Sequence, residues 1–527
     1  MKSKLYIASI VIASALVGCS LEQEPGGSTI TEGQYLEMDD VAEGTVRGVY
    51  PQLYAYGGAH DYFGQRSIDM FGDLCSGDMA MKSKRYGWFA SDEYGRTYQR
   101  RAYFWTFYYD IIRLCNKGIN GIEHNLPSLD FDPETITDEQ YAAGYYYAQL
   151  LTLRGWAYAA LQRYFCTMVT DANIDTELSV PIYTEEITRS DSILGAPRGT
   201  AADVYLRVEE DLKSAIAYFT AFNKIKRSSK LYVNIDVARM TLAYSYLNKG
   251  KYTEALQYVD DLLSSTTATV LPNAEVLTNG FNNVETNSWI WGEKVTVENR
   301  TSLASFFGQC DIYSYSYASA GDIKGIDANL YEEIEKTGWD IREGWWNKYW
   351  NANPDNKNRD TYKYAPDGKF YSSKSTTLSG DRDWLSDNVF MRVELAYLIG
   401  AEAAYRNNDN VAALKYLRHI TDERVKQTAE AKTSYNAYCD SIAANATALK
   451  DAIRYNWRVE LWGEGYGLQT FRRWGVAVKL GDNHMRSDKE PTLEKYPYWY
   501  TFELPTSETR YNPYLRNTTS MAVSDEE

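Results

Sequence analysis

Glutamates stand beside arginines in the most regular stretches of this chain, and their spacing invites a catalytic interpretation. Glu394 and Glu402 are eight residues apart and Glu460 and Glu464 four, so each pair shares a helix face. Two carboxylates at a suitable separation could act as acid and base on a glycosidic bond. The same glutamates, next to Arg392 and Arg458, would equally form partly buried ion pairs that hold neighbouring helices. That second assignment is preferred, and no residue is named catalytic. The four histidines, His60, His124, His419 and His484, never fall within four residues of one another, which removes the paired-histidine metal motifs. The sequence has no G-x-S-x-G elbow, Walker loop or G-x-G-x-x-G turn. No metal and no cofactor is expected, and the protein is not expected to be an enzyme.

The residues that point to recognition are aromatic. They make up 14% of the chain, with 46 Tyr and 14 Trp, more than a core alone requires. Tyr and Trp join an apolar face to a polar handle, which suits contact surfaces, and a ring face can lie against the C–H face of a sugar. Two stretches offer such rings. Lys84-Arg85-Tyr86-Gly87-Trp88-Phe89 lies in a Gly- and Ser-bearing loop downstream of Asp73 and Asp78. Asp311-Ile312-Tyr313-Ser314-Tyr315-Ser316-Tyr317 puts three tyrosines on one side if it is extended; a half-buried strand with its tyrosines turned inward satisfies the same alternation. Tyr86, Trp88, Tyr313, Tyr315 and Tyr317 are the candidate ligand-binding residues. Trp289 and Trp291 alternate inside an apolar run and are assigned to the core.

At the N-terminus, Lys2 and Lys4 precede a mostly apolar run from Leu5 to Val17, too short to span a bilayer, which is the layout of an export signal. It ends in Leu16-Val17-Gly18-Cys19, which resembles the lipobox of bacterial lipoproteins, with Cys19 as the lipidated residue. Residues 1–18 are then the signal peptide and 19–33 a polar tether holding Pro25, Gly26 and Gly27. Several acyl chains on one cysteine anchor a protein firmly, so the membrane is met through lipid alone. A net charge of −16 argues against nucleic acid and anionic headgroups as partners. The remaining cysteines, Cys75, Cys115, Cys166, Cys310 and Cys439, are odd in number and widely spread, so neither a disulfide framework nor a zinc site is expected.

The elements that must carry these side chains are helical. Between Ile235 and Ser264, Leu242, Ala243 and Tyr246 mark one helix and Tyr252, Ala255, Val259 and Leu262 a second, across an Asn248-to-Lys251 turn. The pattern recurs 158 residues later, with Ala401 and Ala404, then Ala413, Leu417 and Ile420. It is similar to the tetratricopeptide repeat. Two more pairs are expected, Tyr145–Phe165 with Ala201–Phe219, and Ala448–Trp462 running into Phe471-Arg472-Arg473-Trp474. Residues 34–527 thus read as one mainly α domain of about four helix pairs, near 145–264 and 388–475, with a long irregular, aromatic-rich insertion near 265–387. A scaffold interrupted in this way presents its insertion as the contact surface.

Four segments in order resemble the SusD/RagB family of nutrient-binding outer-membrane lipoproteins of Bacteroidetes. They are Leu153-Arg154-Gly155-Trp156-Ala157-Tyr158 with Val180-Pro181-Ile182; Met391 to Ala403; Arg458 to Gly465 with Arg472-Arg473-Trp474-Gly475; and Leu504 to Glu508 with Asn512-Pro513 and Asn517. The chain departs from the family at Asn456-Trp457, where Glu-Arg is usual, and around Gln469-Thr470, where an aspartate is usual, which puts local salt bridges in doubt. The resemblance implies a protein lipid-anchored and surface-exposed on the outer membrane, acting as a hinged lid on a SusC-type TonB-dependent transporter. It would capture oligosaccharide or polysaccharide fragments and deliver them for import. The RagB branch gives the alternative of a peptide or another nutrient, and a surface glycoside hydrolase ranks below both. For Trp345, Trp346 and Trp350, solvent and the transporter are both open as neighbours.

Overall fold

The computed structural model describes residues 41–83, 85–89, 101–123, 126–131, 135–185, 195–225, 227–474, 479–485 and 501–515. Cys19, the signal peptide, the tether, Lys84, His124, Gly475 and Asn517 lie outside the described residues. The chain enters through α1 (Val41–Val49) and α2 (Gln65–Ser76), then builds a row of helices: α3 (Arg101–Ile122), α4 (Asp138–Phe165), α5 (Ala201–Ala221), α6 (Ile235–Lys249) and α7 (Tyr252–Leu263). Each packs on the next, and the short strands β2 (Leu178–Pro181) and β3 (Arg198–Thr200) pair antiparallel between α4 and α5. Helix starts follow from local chemistry. Thr137 and Thr200 each close a capping box on α4 and α5, and Asn234 caps α6, so first-turn N–H groups that would otherwise face no acceptor are satisfied.

The insertion leaves the row through β4 (Trp289–Glu293), passes through the short helices α8 (Phe306–Cys310), α9 (Ala328–Thr337) and α10 (Lys348–Ala352), and returns through β6 (Asn388–Arg392). β4 and β6 pair antiparallel, Trp289 opposite Arg392 and Glu293 opposite Asn388, so the excursion starts and ends at one place. β6 runs directly into α11 (Val393–Arg406), which packs on α7 and resumes the row; α12 (Asn410–Thr421) packs on α11. Long chain excursions at a fixed closure point cost little extra entropy per added residue, which is how a repeat can resume after so large an interruption. Three of the four expected pairs are present as read: α4 with α5, α6 with α7, α11 with α12. The last differs. α14 (Ala446–Glu460) packs on α13 (Ala429–Ala444) as well as on α15 (Gly467–Trp474), and α16 (Thr506–Tyr511) follows.

Small residues set the close helix approaches. A Cβ on Gly155 of α4 would lie 2.9 Å from Leu212 Cγ of α5, and one on Gly400 of α11 would lie 2.8 Å from the Tyr416 ring of α12. Beside Gly155, buried Arg154 grips Asp211 of α5 with Nε (2.9 Å) and Nη2 (2.7 Å) and donates from Nη1 to Asn116 of α3 (2.8 Å), so one guanidinium ties three helices. Trp289 and Trp291 are fully buried, as expected from their apolar run. Trp345 and Trp346 correct the expectation of a solvent- or partner-facing position: both are fully buried, edge to face with each other and, for Trp346, with Trp462. Their neighbour Trp350 is half-buried between Arg359 and Lys363.

Insertion and helical body are joined by a buried ionic network. Glu460, at the end of α14, receives Arg392 Nη1 (2.7 Å), Arg424 Nη2 (2.8 Å) and Arg342 Nη1 (3.0 Å). Arg392 reaches Glu464 as well (2.8 Å), and Lys369 of the insertion donates to Glu464 and to the Glu460 and Trp462 carbonyls, each at 2.8 Å. Glu394 completes the set against Arg392 (3.1 Å) and Arg424 (3.3 Å). Burial alone would raise the Glu460 carboxyl; the three guanidiniums overcome it and hold the group well below the usual carboxylate range. Desolvation lowers the Lys369 amine to about 8. The glutamates around Arg392 are thus the helix-holding ion pairs expected of them. Arg458 turns elsewhere, to Asp78 (2.7 Å) and Glu333 (3.3 Å). At the first family departure, Asn456 accepts Arg342 Nη2 (2.9 Å), supplying neutrally one contact of this network.

Asp73 is another buried contact between distant segments. Its carboxylate accepts the backbone N–H groups of Gly465 (3.1 Å) and Gly467 (3.0 Å), tying α2 to α15, and burial raises it to about 7 against the effect of those two donors. Because its folded value lies above the unfolded 3.8, the folded state keeps a proton that the unfolded chain loses, and this group's contribution to stability falls as pH rises from about 4 through about 7. Denaturation of Asp73→Asn at pH 5 and pH 8 should therefore show a smaller loss of stability with rising pH than the parent shows. Equal slopes would place that proton elsewhere.

Candidate functional site

The two aromatic stretches meet because of a short sheet. β1 (Met79–Met81) pairs antiparallel with β5 (Lys324–Ile326), Met81 opposite Lys324. In that register the chain leaving β1 runs beside the chain arriving at β5, and Trp88 and Tyr317 each lie seven residues beyond the last matched pair. Their ring centroids are 6.2 Å apart, and Tyr86 sits 4.9 Å from Tyr317. A third segment, the loop between the 3₁₀ turn Tyr50–Tyr54 and α2, adds His60 and Tyr56. The His60 ring stacks on Trp88 at 5.2 Å and 10°, its Nδ1 is 2.7 Å from Tyr317 Oη, and Tyr56 lies edge-on at 6.5 Å. Desolvation raises the Tyr317 phenol above its ordinary value.

The cluster is a surface. Tyr56 is 47%, Tyr86 41% and Tyr315 45% exposed, while Trp88 and Tyr317 are half-buried. Five rings locked by mutual contact give an apolar relief with little side-chain freedom left to lose on binding. Tyr315, two residues before Tyr317, is a further exposed ring: Arg382 lies over it at 4.7 Å, and Trp384 Nε1 donates to its carbonyl (3.0 Å). From Trp384 a shallow cleft continues, lined by Tyr54, Phe63, Asn299, Arg300 and Phe307. The cleft is small, about 30 Å³, as is a pocket between Arg163, Tyr244, Asn248 and Glu464; a larger one of about 160 Å³ lies between Tyr50, Leu231, Tyr232 and Phe390.

Tyr313 is corrected out of this set. Residues 311–317 form bends and a single bridge at Ser314 rather than a strand, so the three tyrosines do not share a side. Tyr313 is 4% exposed, donates its hydroxyl to Asp367 (3.2 Å) and packs edge-on against Tyr371. Asp311 causes the bending by accepting the Tyr313 N–H (2.9 Å) and the Ser372 N–H (3.1 Å). The aspartates upstream of the Trp88 loop, Asp73 and Asp78, are buried and structural. Sequence reasoning passed over Tyr56 and His60, although Tyr54-Ala-Tyr56-Gly-Gly-Ala-His60-Asp-Tyr62, like the Trp88 loop, mixes aromatic residues with glycine. Among the described residues, no group of three His, Cys, Asp or Glu is placed to hold a metal ion, and no helix is long and apolar enough to cross a membrane. Cys75, Cys115, Cys166 and Cys310 are buried and Cys439 is half-buried.

Two family models divide the chain between them. The SusD family model matches residues 281–521, which span most of the insertion and the helices after it, and a model described as starch-binding associating with outer membrane matches residues 43–242. The chain belongs to the SusD/RagB family. Solved members of the SusD superfamily share its fold. A SusD-like carbohydrate binding protein from Bacteroides vulgatus is 21% identical with a TM-score of 0.69, covering 90% of this chain and 97% of its own. Proteins from Bacteroides thetaiotaomicron (20%, TM-score 0.68, 90% and 98% covered) and Bacteroides fragilis (18%, 0.66, 91% and 99%) superpose similarly. No curated protein matches the sequence. The mainly helical body with its irregular insertion is thus the SusD fold, and the aromatic cluster sits where the insertion meets the N-terminal loops of that fold.

Proposed function

We propose that this protein is a cell-surface glycan-binding lipoprotein. It is tethered to the outer membrane through Cys19, holds oligosaccharide or polysaccharide fragments on the Trp88 platform, and passes them without turnover to a SusC-type TonB-dependent transporter. The observation that carries the reading is the partly exposed cluster of Tyr56, His60, Tyr86, Trp88 and Tyr317, where three loops bring five rings together at the surface. Ring faces match the alternate C–H faces of a sugar chain, and an open surface admits a polymer from either end. That the Bacteroides vulgatus protein of the same fold is a SusD-like carbohydrate binding protein, and that the matching family is described as associating with the outer membrane, support the ligand class and the location. The fragments 1–18, 19–33 and 34–527 remain the proposed signal, tether and folded domain.

The test is migration of the protein through gels containing single polysaccharides, with product release followed in parallel. Retardation by one glycan class without product is the expected result. Retention of a peptide in place of any glycan, or release of sugars, would replace this function by peptide capture or by hydrolysis respectively.

A further inference from the structure

We infer that the glycan held on this platform is anionic, carrying carboxylate or sulfate groups that meet Arg85, Arg300 and Arg382; this rests on the glycan-binding reading and names the ligand class of the same site. The chain as a whole is strongly acidic, at −16, so exposed arginines beside the rings run against its overall charge. Arg85 donates Nη1 to the Ala320 carbonyl (2.6 Å) and stands over the Tyr86 ring at 5.5 Å. Arg382 lies over Tyr315, and Arg300 donates Nη1 to the Asp383 carbonyl (2.9 Å) on the Trp384 side of the cleft.

Each of these guanidiniums is positioned by a backbone carbonyl or a ring, and among the described residues none of the three forms an ion pair. Asp383 pairs with Lys374 (2.5 Å) and also feels Arg300, Asp322 pairs with buried Lys324 (3.0 Å), Asp381 accepts the Ser372 hydroxyl, and Glu293, which lines the cleft with Arg300, is buried and accepts from Asn388 (2.9 Å). A guanidinium carries five N–H donors in a planar fork that matches a carboxylate or sulfate, so donors remain available beside each ring. Arg85 and Arg382 each stand over one face of their ring, so an acidic substituent on a sugar held beside Tyr86 or Tyr315 comes within reach of a guanidinium. The ring takes the apolar face and the arginine takes the charge.

The full-length protein would be titrated with polygalacturonate (carboxylate only), carrageenan (sulfate only), chondroitin sulfate (both) and two neutral glycans, amylopectin and xyloglucan. Expected are binding of at least one acidic polymer in preference to both neutral ones, weakening as NaCl is raised, and an affinity at least tenfold lower in the R85Q/R300Q/R382Q variant with an unchanged melting curve. Which acidic polymer binds separates carboxylate from sulfate. A neutral glycan bound equally well by the triple variant, yet lost in Trp88→Ala, would overturn the anionic class and leave the platform standing. Binding of no glycan, or binding indifferent to Trp88→Ala, would overturn both.

Discussion

Glutamine at position 460 is expected to cost about 3–5 kcal/mol of folding stability, because removing the central carboxylate of a buried ionic cluster leaves its guanidiniums charged with one compensating partner fewer. Three guanidiniums, those of Arg342, Arg392 and Arg424, converge on this one carboxylate, and all four side chains are fully buried. Glu464 and Glu394 still face Arg392 in the variant, but Arg342 keeps only Asp340 and Asn456. Since Arg342 belongs to the insertion and Arg392 to the strand feeding α11, the damage should fall on the join between insertion and helical row. Urea denaturation gives the magnitude. Proteolysis should show new cleavage within 294–387 before the helical row is cut. A loss below 1 kcal/mol would mean that the network is replaceable and that apolar packing alone holds the join. The pH dependence has a definite sign. The folded carboxyl of Glu460 lies below its unfolded value, so its stabilisation is complete above about pH 4.5 and is lost as pH falls through the depressed folded value. The glutamine variant should lack that acid-side decline.

The second large effect concerns ligand. Trp88→Ala should weaken glycan binding by 2 kcal/mol or more, about 30-fold, the scale set by a central, preorganised aromatic anchor. Trp88 holds His60 by stacking and meets Tyr317, so its removal takes one ring away and frees two others. Tyr315→Ala, at the margin, should cost less. Tyr313→Ala should leave affinity unchanged and lower stability instead, because that side chain is buried against Tyr371 and Asp367. Calorimetric titration of the three variants beside their melting curves separates these outcomes. Unchanged affinity in Trp88→Ala, Tyr86→Ala and Tyr317→Ala together would remove the platform from this part of the molecule.

Helix periodicity, turn chemistry and small residues at helix contacts are local, and they determined from sequence alone that α4 to α7 and α11 to α12 form pairs around an irregular insertion. The helices that hold Arg154 and Arg458, and the one that begins just after Arg392, were legible for the same reason: each is specified by residues close together in the chain. Tertiary structure alone decided which aromatics meet. Alternation placed Tyr313, Tyr315 and Tyr317 together, but side-chain direction in an irregular segment depends on bonds from distant residues, and the Ser372 N–H reaching Asp311 helps turn Tyr313 inward. The pairing of Met81 with Lys324, 243 positions apart, brought Trp88 to Tyr317, and His60 joined them from a third segment. Burial of Trp345 and Trp346 was equally invisible, since the surface that covers them comes from Trp462 and Phe281, far along the chain. Local patterns report how a segment folds; long-range register and closure, whose energy comes from partners hundreds of residues away, report what it faces.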